Sequence, residues 1–65
     1  MALYELTPEM EAILKRQIWD VMSDPNAHPI EIAAVAHNLR ACGLTQKAKE
    51  LEQLAERRQR ELDRK

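Results

Sequence analysis

Apolar residues recur at steps of three and four along most of this chain, which is the spacing of one face of an α-helix. The first such set lies between the pair Thr7-Pro8 and a polar, proline-containing run that begins at Ser23. Its members are Met10, Ile13, Leu14, Ile18 and Val21. Because threonine is a good N-cap and proline suits the first helical position, the pattern predicts a helix over residues 8–23.

Two further helices are predicted from the punctuation that follows. Pro29 can open a helix over residues 29–42, capped by His28 or by Asn26. The only glycine, Gly43, follows where a left-handed C-terminal cap is expected, and Thr45 can cap a helix over residues 46–62. The apolar stripe of this third helix is Ala48, Leu51, Leu54, Ala55 and Leu62, and it is interrupted by Arg58.

These elements predict an all-α chain, with one small domain over residues 1–65. One glycine and no phenylalanine leave little for sheets, whereas Ala, Leu, Glu, Lys, Arg and Gln are all good helix formers. The short linkers favour a helical hairpin preceded by a leading helix. Residues 1–6 and 61–65 are expected to fray, because chain ends that bury little apolar surface order poorly.

The second helix is apolar on nearly every side, which indicates burial on more than one side. One stripe consists of Ile32, Val35, Ala36, Leu39 and Cys42. The other, which we call the outer stripe, consists of Ile30, Ala33, Ala34, His37 and Ala41. We expect the outer stripe to form the interface of a dimeric helical bundle. In the alternative, the first and third helices pack on both sides of the second and leave only an alanine-rich surface.

The energetics of so short a chain also favour a dimer. Surface scaling gives about 6,600 Å² buried on folding alone, which is worth near 100 kcal/mol if about 60% of it is apolar. Ordering 65 residues costs about 1.5 kcal/mol each, again near 100 kcal/mol. The balance is close to zero, so the monomer is expected to depend on a partner.

The sequence offers no catalytic, cofactor or metal site. His28 and His37 are nine residues apart, and no Asp, Glu or Cys lies at i+3 or i+4 of His37 to complete a metal pair. Cys42 lies on an apolar stripe, where cysteine behaves as a small hydrophobe. We therefore expect no enzyme and no cofactor. The acidic start of the chain differs from a signal peptide, and no uncharged stretch is long enough to cross a membrane. The expected setting is the cytoplasm.

Trp19 is a candidate partner contact together with Arg16 on the flank of the first helix. Tryptophan is enriched among interface hot spots, so an exposed Trp19 would anchor a second protein. In the alternative, Trp19 covers the loop between Pro25 and Pro29.

Charge is uneven along the chain. Residues 1–38 hold six acidic and two basic residues, a net charge of −4, and residues 39–65 hold eight basic and five acidic residues, a net charge of +3. The bases of the third helix that are candidate nucleic-acid contacts are Arg57, Arg58, Arg60 and Arg64. The overall charge of −1 and the absence of interleaved aromatic residues favour a solvated helix instead. The predicted function is a small non-catalytic adaptor or regulator acting through protein contacts as a homodimer, with a nucleic-acid-binding regulator as the alternative.

Overall fold

In the computed structural model of this chain, which describes residues 5–64, three α-helices follow one another. They are α1 (Pro8–Ser23), α2 (Pro29–Ala41) and α3 (Thr45–Asp63). No strand occurs within the described residues, so the predicted all-α class and its three helices are confirmed. Residues 1–4 and 65, which belong to the ends expected to fray, lie outside the described residues. Since α3 continues to Asp63, fraying beyond residue 60 stays a prediction.

The first two helices begin as their cap residues dictate. Thr7 Oγ1 accepts a hydrogen bond from the Met10 amide at 3.2 Å, and Pro8 takes the first helical position. At the start of α2, His28 Nδ1 accepts a hydrogen bond from the Ile30 amide at 3.1 Å. Each cap satisfies an amide that has no partner within its own helix. Of the two caps weighed for α2, His28 is the one that the structure uses.

The turn between α2 and α3 is a Schellman motif centred on Gly43, whose φ of 83° lies in the left-handed region. The Gly43 amide donates to the Arg40 oxygen at 3.0 Å, and the Leu44 amide donates to the Leu39 oxygen at 2.9 Å. The predicted cap at Thr45 is wrong: α3 begins at Thr45 itself, and the cap residue Leu44 makes no side-chain hydrogen bond. The Schellman bonds satisfy carbonyl oxygens at the end of α2, and α3 begins without a side-chain cap.

The core lies along α2. Within residues 5–64, its three fully buried large side chains are Ile32, Leu39 and Leu51, of which two belong to α2 and one to α3. Leu14 and Val21 are the buried residues of α1. α2 packs extensively against α3 and less against α1. The hairpin of α2 and α3 therefore forms most of the packed structure, and α1 packs against its α2 side. With principal extents of 41 × 22 × 14 Å, the chain is a thin, elongated body that cannot enclose α2 on every side.

Candidate interaction surface

The outer stripe faces solvent between the two neighbouring helices. Ile30 is 73% exposed, which is the largest exposure among the large apolar side chains of residues 5–64. Ala33, Ala34 and His37 are also exposed, whereas Ala41 is buried at the other end of the stripe. Neither α1 nor α3 covers the first four residues of the stripe, whereas Ala41 is buried beside α1. The structure thus brings the five predicted residues to one face, four on the surface and one beneath it.

Shallow grooves flank the outer stripe on both sides. On the α1 side, a groove of about 240 Å³ has Ala41 in its lining, and its other lining residues are Met10, Ile13, Leu14, Gln17, Asn38 and Cys42. On the α3 side, a groove of about 360 Å³ is lined by Pro29, Ile30, Ala33, Glu52, Ala55, Glu56 and Gln59. The outer stripe is therefore a ridge between two grooves. Helices pack against one another by placing the ridges of one in the grooves of the other.

An ion pair ties the two helices of the hairpin together beside this surface. Arg40 Nε donates to Glu52 Oε2 at 2.9 Å, and Arg40 Nη2 donates to Glu52 Oε1 at 2.6 Å. These hydrogen bonds and the attraction between the charges raise the pKa of Arg40 above its usual value. Hydrogen bonding from Arg40 is also the main cause that lowers the pKa of Glu52, and desolvation opposes it. Both side chains remain more than two-fifths exposed, so the pair adds orientation more than stability.

The packing of α1 on α2 leaves one polar atom without a partner. Gln17 Oε1 is buried and accepts no hydrogen bond from the described residues. A buried carbonyl oxygen without a donor costs free energy of about 1–3 kcal/mol. Together with the limited contact between α1 and α2, this makes α1 the less firmly held helix of the three.

Trp19 lies on the side of α1 that faces away from the core, where 70% of its surface is exposed. Met22, one turn after Trp19, is 54% exposed. Arg16, one turn before Trp19, is also exposed and forms no ion pair within residues 5–64. The alternative in which Trp19 covers the loop of residues 25–29 does not match this exposure. The structure places Trp19 and Arg16 together on an open surface.

The loop is held instead by Arg58, one of the four candidate nucleic-acid contacts. Its Nη1 atom donates to the Asp24 oxygen at 3.2 Å and to the Ala27 oxygen at 3.0 Å. Arg58 therefore stabilises the loop between α1 and α2. Arg57, Arg60 and Arg64 are exposed and form no ion pair within the described part of the chain. The signal for the role of Arg58 was its place in the apolar stripe of α3, where a leucine would otherwise continue the pattern.

Over residues 5–64, no group of three or more His, Cys, Asp or Glu side chains is arranged to hold a metal ion. Cys42 is a free thiol buried in the core. Searching the same residues for a helix with the length and apolar character of a membrane span gives none. No protein-family model, curated protein or solved structure matches this chain.

Proposed function

We propose that this chain is a small non-catalytic adaptor or regulatory protein that acts in the cytoplasm through protein contacts, as a homodimer. The observation that supports the proposal is the exposed apolar ridge of α2, with Ile30 73% exposed on a chain that buries few large side chains. Soluble monomers rarely leave a contiguous apolar surface open unless a partner covers it. Trp19 and Arg16, on the other surface of α1, are the proposed contact for a second protein.

The proposal is tested by the mass of the chain in solution. A dimer is expected at micromolar concentration, and dilution is expected to lower its thermal midpoint, because dissociation couples to unfolding. Ala34→Glu should shift the mass to that of the monomer, since it buries an unpaired carboxylate in the interface. Gln53→Glu is the matched control, as it makes the same charge change on the exposed side of α3. A monomer mass for the unaltered chain at every concentration, with a constant midpoint, would overturn the homodimer.

Nucleic-acid binding is the second candidate, and it rests on the exposed, unpaired Arg57, Arg60 and Arg64 within the described residues. Such binding would weaken steeply with added salt, because phosphate contacts release counterions. Replacing Arg57 and Arg60 by glutamine should abolish retention of a nucleic acid and leave the fold intact, whereas contacts through Trp19 would depend little on salt. Salt-independent binding would reject this candidate.

A further inference from the structure

Two recesses adjoin along the line where α1 packs on α2. The first is the groove of about 240 Å³ on the α1 side of the outer stripe, and the second, of about 380 Å³, lies nearer the loop between the two helices. Gln17 of α1 and Asn38 of α2 line both recesses. The two recesses therefore form one elongated depression, which we call the seam groove.

The seam groove has three chemically distinct parts. Apart from Gln17 and Asn38, the lining of the first recess is entirely apolar, and it includes Ile13, which is 57% exposed. The middle of the groove carries the carboxamides of Gln17 and Asn38. The second recess is acidic, because Asp20 and Glu31 line it and no basic residue does. Neither carboxylate forms an ion pair within residues 5–64, so both are available to a cation from another molecule.

The two carboxamides in the middle of the groove lack partners. Gln17 Oε1 accepts no hydrogen bond from the described residues, and the Asn38 side chain takes part in none among them. Gln17 as a whole is half-buried, so rotation of its side chain can bring the oxygen to the surface of the groove. A carboxamide both donates and accepts, which matches the one N–H and one C=O of each peptide unit. Since a helical partner satisfies its own backbone groups, unpaired carboxamides favour an extended segment.

We propose that the seam groove binds an extended peptide segment of another protein, and that this segment carries an apolar and a basic side chain. The apolar side chain enters the first recess beside Ile13. The carboxamides of Gln17 and Asn38 hold the backbone of the segment, and its basic group pairs with Asp20 and Glu31. The inference rests on the proposed adaptor function, whose partner it describes, and does not depend on the homodimer.

Ile13 and Asp20 set the spacing expected in the bound segment. They are seven positions apart on α1, which is close to two helical turns, so they lie on one side of the helix about 10 Å apart. A segment in the polyproline II conformation rises about 3.1 Å per residue and returns to the same side every third residue. Two side chains three positions apart therefore match the distance between the recesses. This conformation has no internal hydrogen bonds, so its N–H and C=O groups remain free for Gln17 and Asn38.

Peptide pools test the proposal on the full chain. In the first pool, short acetylated and amidated peptides carry leucine and arginine three positions apart, and their other positions vary among uncharged residues. Matched pools replace the arginine by glutamate or the leucine by serine. The leucine–arginine pool is expected to bind about tenfold or more tighter than either matched pool and to shift the side-chain amide resonances of Gln17 and Asn38. Equal binding of the three pools, or binding that leaves both resonances unmoved, would overturn the proposal.

Charge removal from the second recess gives an independent test. Asp20→Asn combined with Glu31→Gln should weaken binding of the leucine–arginine pool by about tenfold and remove its advantage over the leucine–glutamate pool. The matched control is Glu5→Gln combined with Glu9→Gln, which removes the same charge from exposed residues that line neither recess. Equal effects of the two double variants would overturn the proposal, because binding would then depend on overall charge alone.

Gln17→Met separates a binding role from a structural one. The change keeps a side chain of similar length and removes the unpaired oxygen, so the thermal midpoint should not fall. Binding of the leucine–arginine pool should nevertheless weaken by about threefold or more, because the backbone of the peptide loses a partner. Gln53→Met, on the exposed side of α3, is the control and should leave binding unchanged. A lower midpoint with unchanged binding would overturn the role of Gln17 in the groove.

The remaining outcomes separate the seam groove from the homodimer. If the Gln17 and Asn38 resonances shift when the chain alone is concentrated, the occupant is a second copy and the peptide proposal is overturned. Binding of the leucine–arginine pool by a chain of monomer mass would support the seam groove and overturn the homodimer. A dimer mass without binding of that pool would overturn the seam groove and retain the homodimer.

Discussion

The side chain of Arg58 holds the backbone of Ala27, since its Nη1 atom donates a hydrogen bond to the Ala27 oxygen at 3.0 Å across 31 positions of sequence. The same atom reaches the Asp24 oxygen. Asp24 in turn accepts a hydrogen bond at Oδ1 from the Asn26 amide, at 2.9 Å. A side chain near the C-terminal end of α3 thus holds the loop between α1 and α2. These hydrogen bonds connect all three helices at one end of the molecule.

Arg58→Ala is expected to lower the free energy of unfolding by about 1–2 kcal/mol, because two loop carbonyls lose a charged donor. Arg57→Ala, which removes an exposed neighbour, should cost less than about 0.5 kcal/mol. Chemical denaturation of both variants at one protein concentration measures the difference. Equal stabilities of the two variants would show that the Arg58 hydrogen bonds do not stabilise the fold.

Much of this fold could be predicted from the sequence, because its helix boundaries are carried by local signals. Thr7, Pro8, Pro29 and Gly43 act within a few residues of themselves, so reading them needs no knowledge of the tertiary structure. The sequence showed only that Arg58 interrupts the apolar stripe of α3. It could not identify the two acceptors, because they are backbone oxygens more than thirty positions away.

The candidate surface was predictable only in part. The periodicity of α2 identified the outer stripe, since side-chain spacing decides which residues share a face. The groove beside Ala41 depends on the angle at which α1 packs on α2, since Met10 and Ile13 of α1 form part of its lining. The packing of the two helices across the loop sets this angle, and no residue pattern within α1 encodes it.

Trp19→Ala should change the free energy of unfolding by less than about 0.5 kcal/mol, because 70% of the side chain already faces water. If Trp19 anchors a partner, the same change should abolish capture of that partner while the mass of the unbound protein stays constant. Thermal unfolding and a pull-down from native extract provide the two measurements, with Arg16→Gln as a second variant. A loss of stability above about 1 kcal/mol would instead show that Trp19 supports the fold.

His28→Ala is expected to destabilise α2 by about 0.5–2 kcal/mol, because the Ile30 amide loses its only side-chain acceptor. His28→Asn supplies another good cap and should retain most of the stability. His37→Ala is the control for loss of an imidazole elsewhere on α2. Urea unfolding followed by helical circular dichroism compares the three, and equal effects of alanine and asparagine at position 28 would contradict the capping role.

The Arg40–Glu52 pair predicts a pH dependence with a defined sign. The pKa of Glu52 is lower in the folded chain than in the unfolded one, chiefly through its hydrogen bond from Arg40. The unfolded chain therefore binds the proton more readily, and the contribution of the pair is present above the ordinary glutamate range and is lost as the pH falls through the folded value. A double-mutant cycle with Arg40→Gln and Glu52→Gln should show coupling at pH 7 and none in strong acid. Coupling that persists in acid would exclude the charged pair as its source.

The end of α3 provides the last prediction. Leu62 is partly exposed and lines a recess of about 200 Å³ together with Pro25, His28 and Arg58. The charged residues around it bury little, so removal of residues 61–65 should cost less than about 1 kcal/mol, and the amides beyond Arg60 should exchange fastest. Hydrogen exchange of the full chain and denaturation of the truncated one measure both effects. Collapse of the dimer or the fold on truncation would place Leu62 in the core, because only lost apolar burial against the loop could then account for the cost.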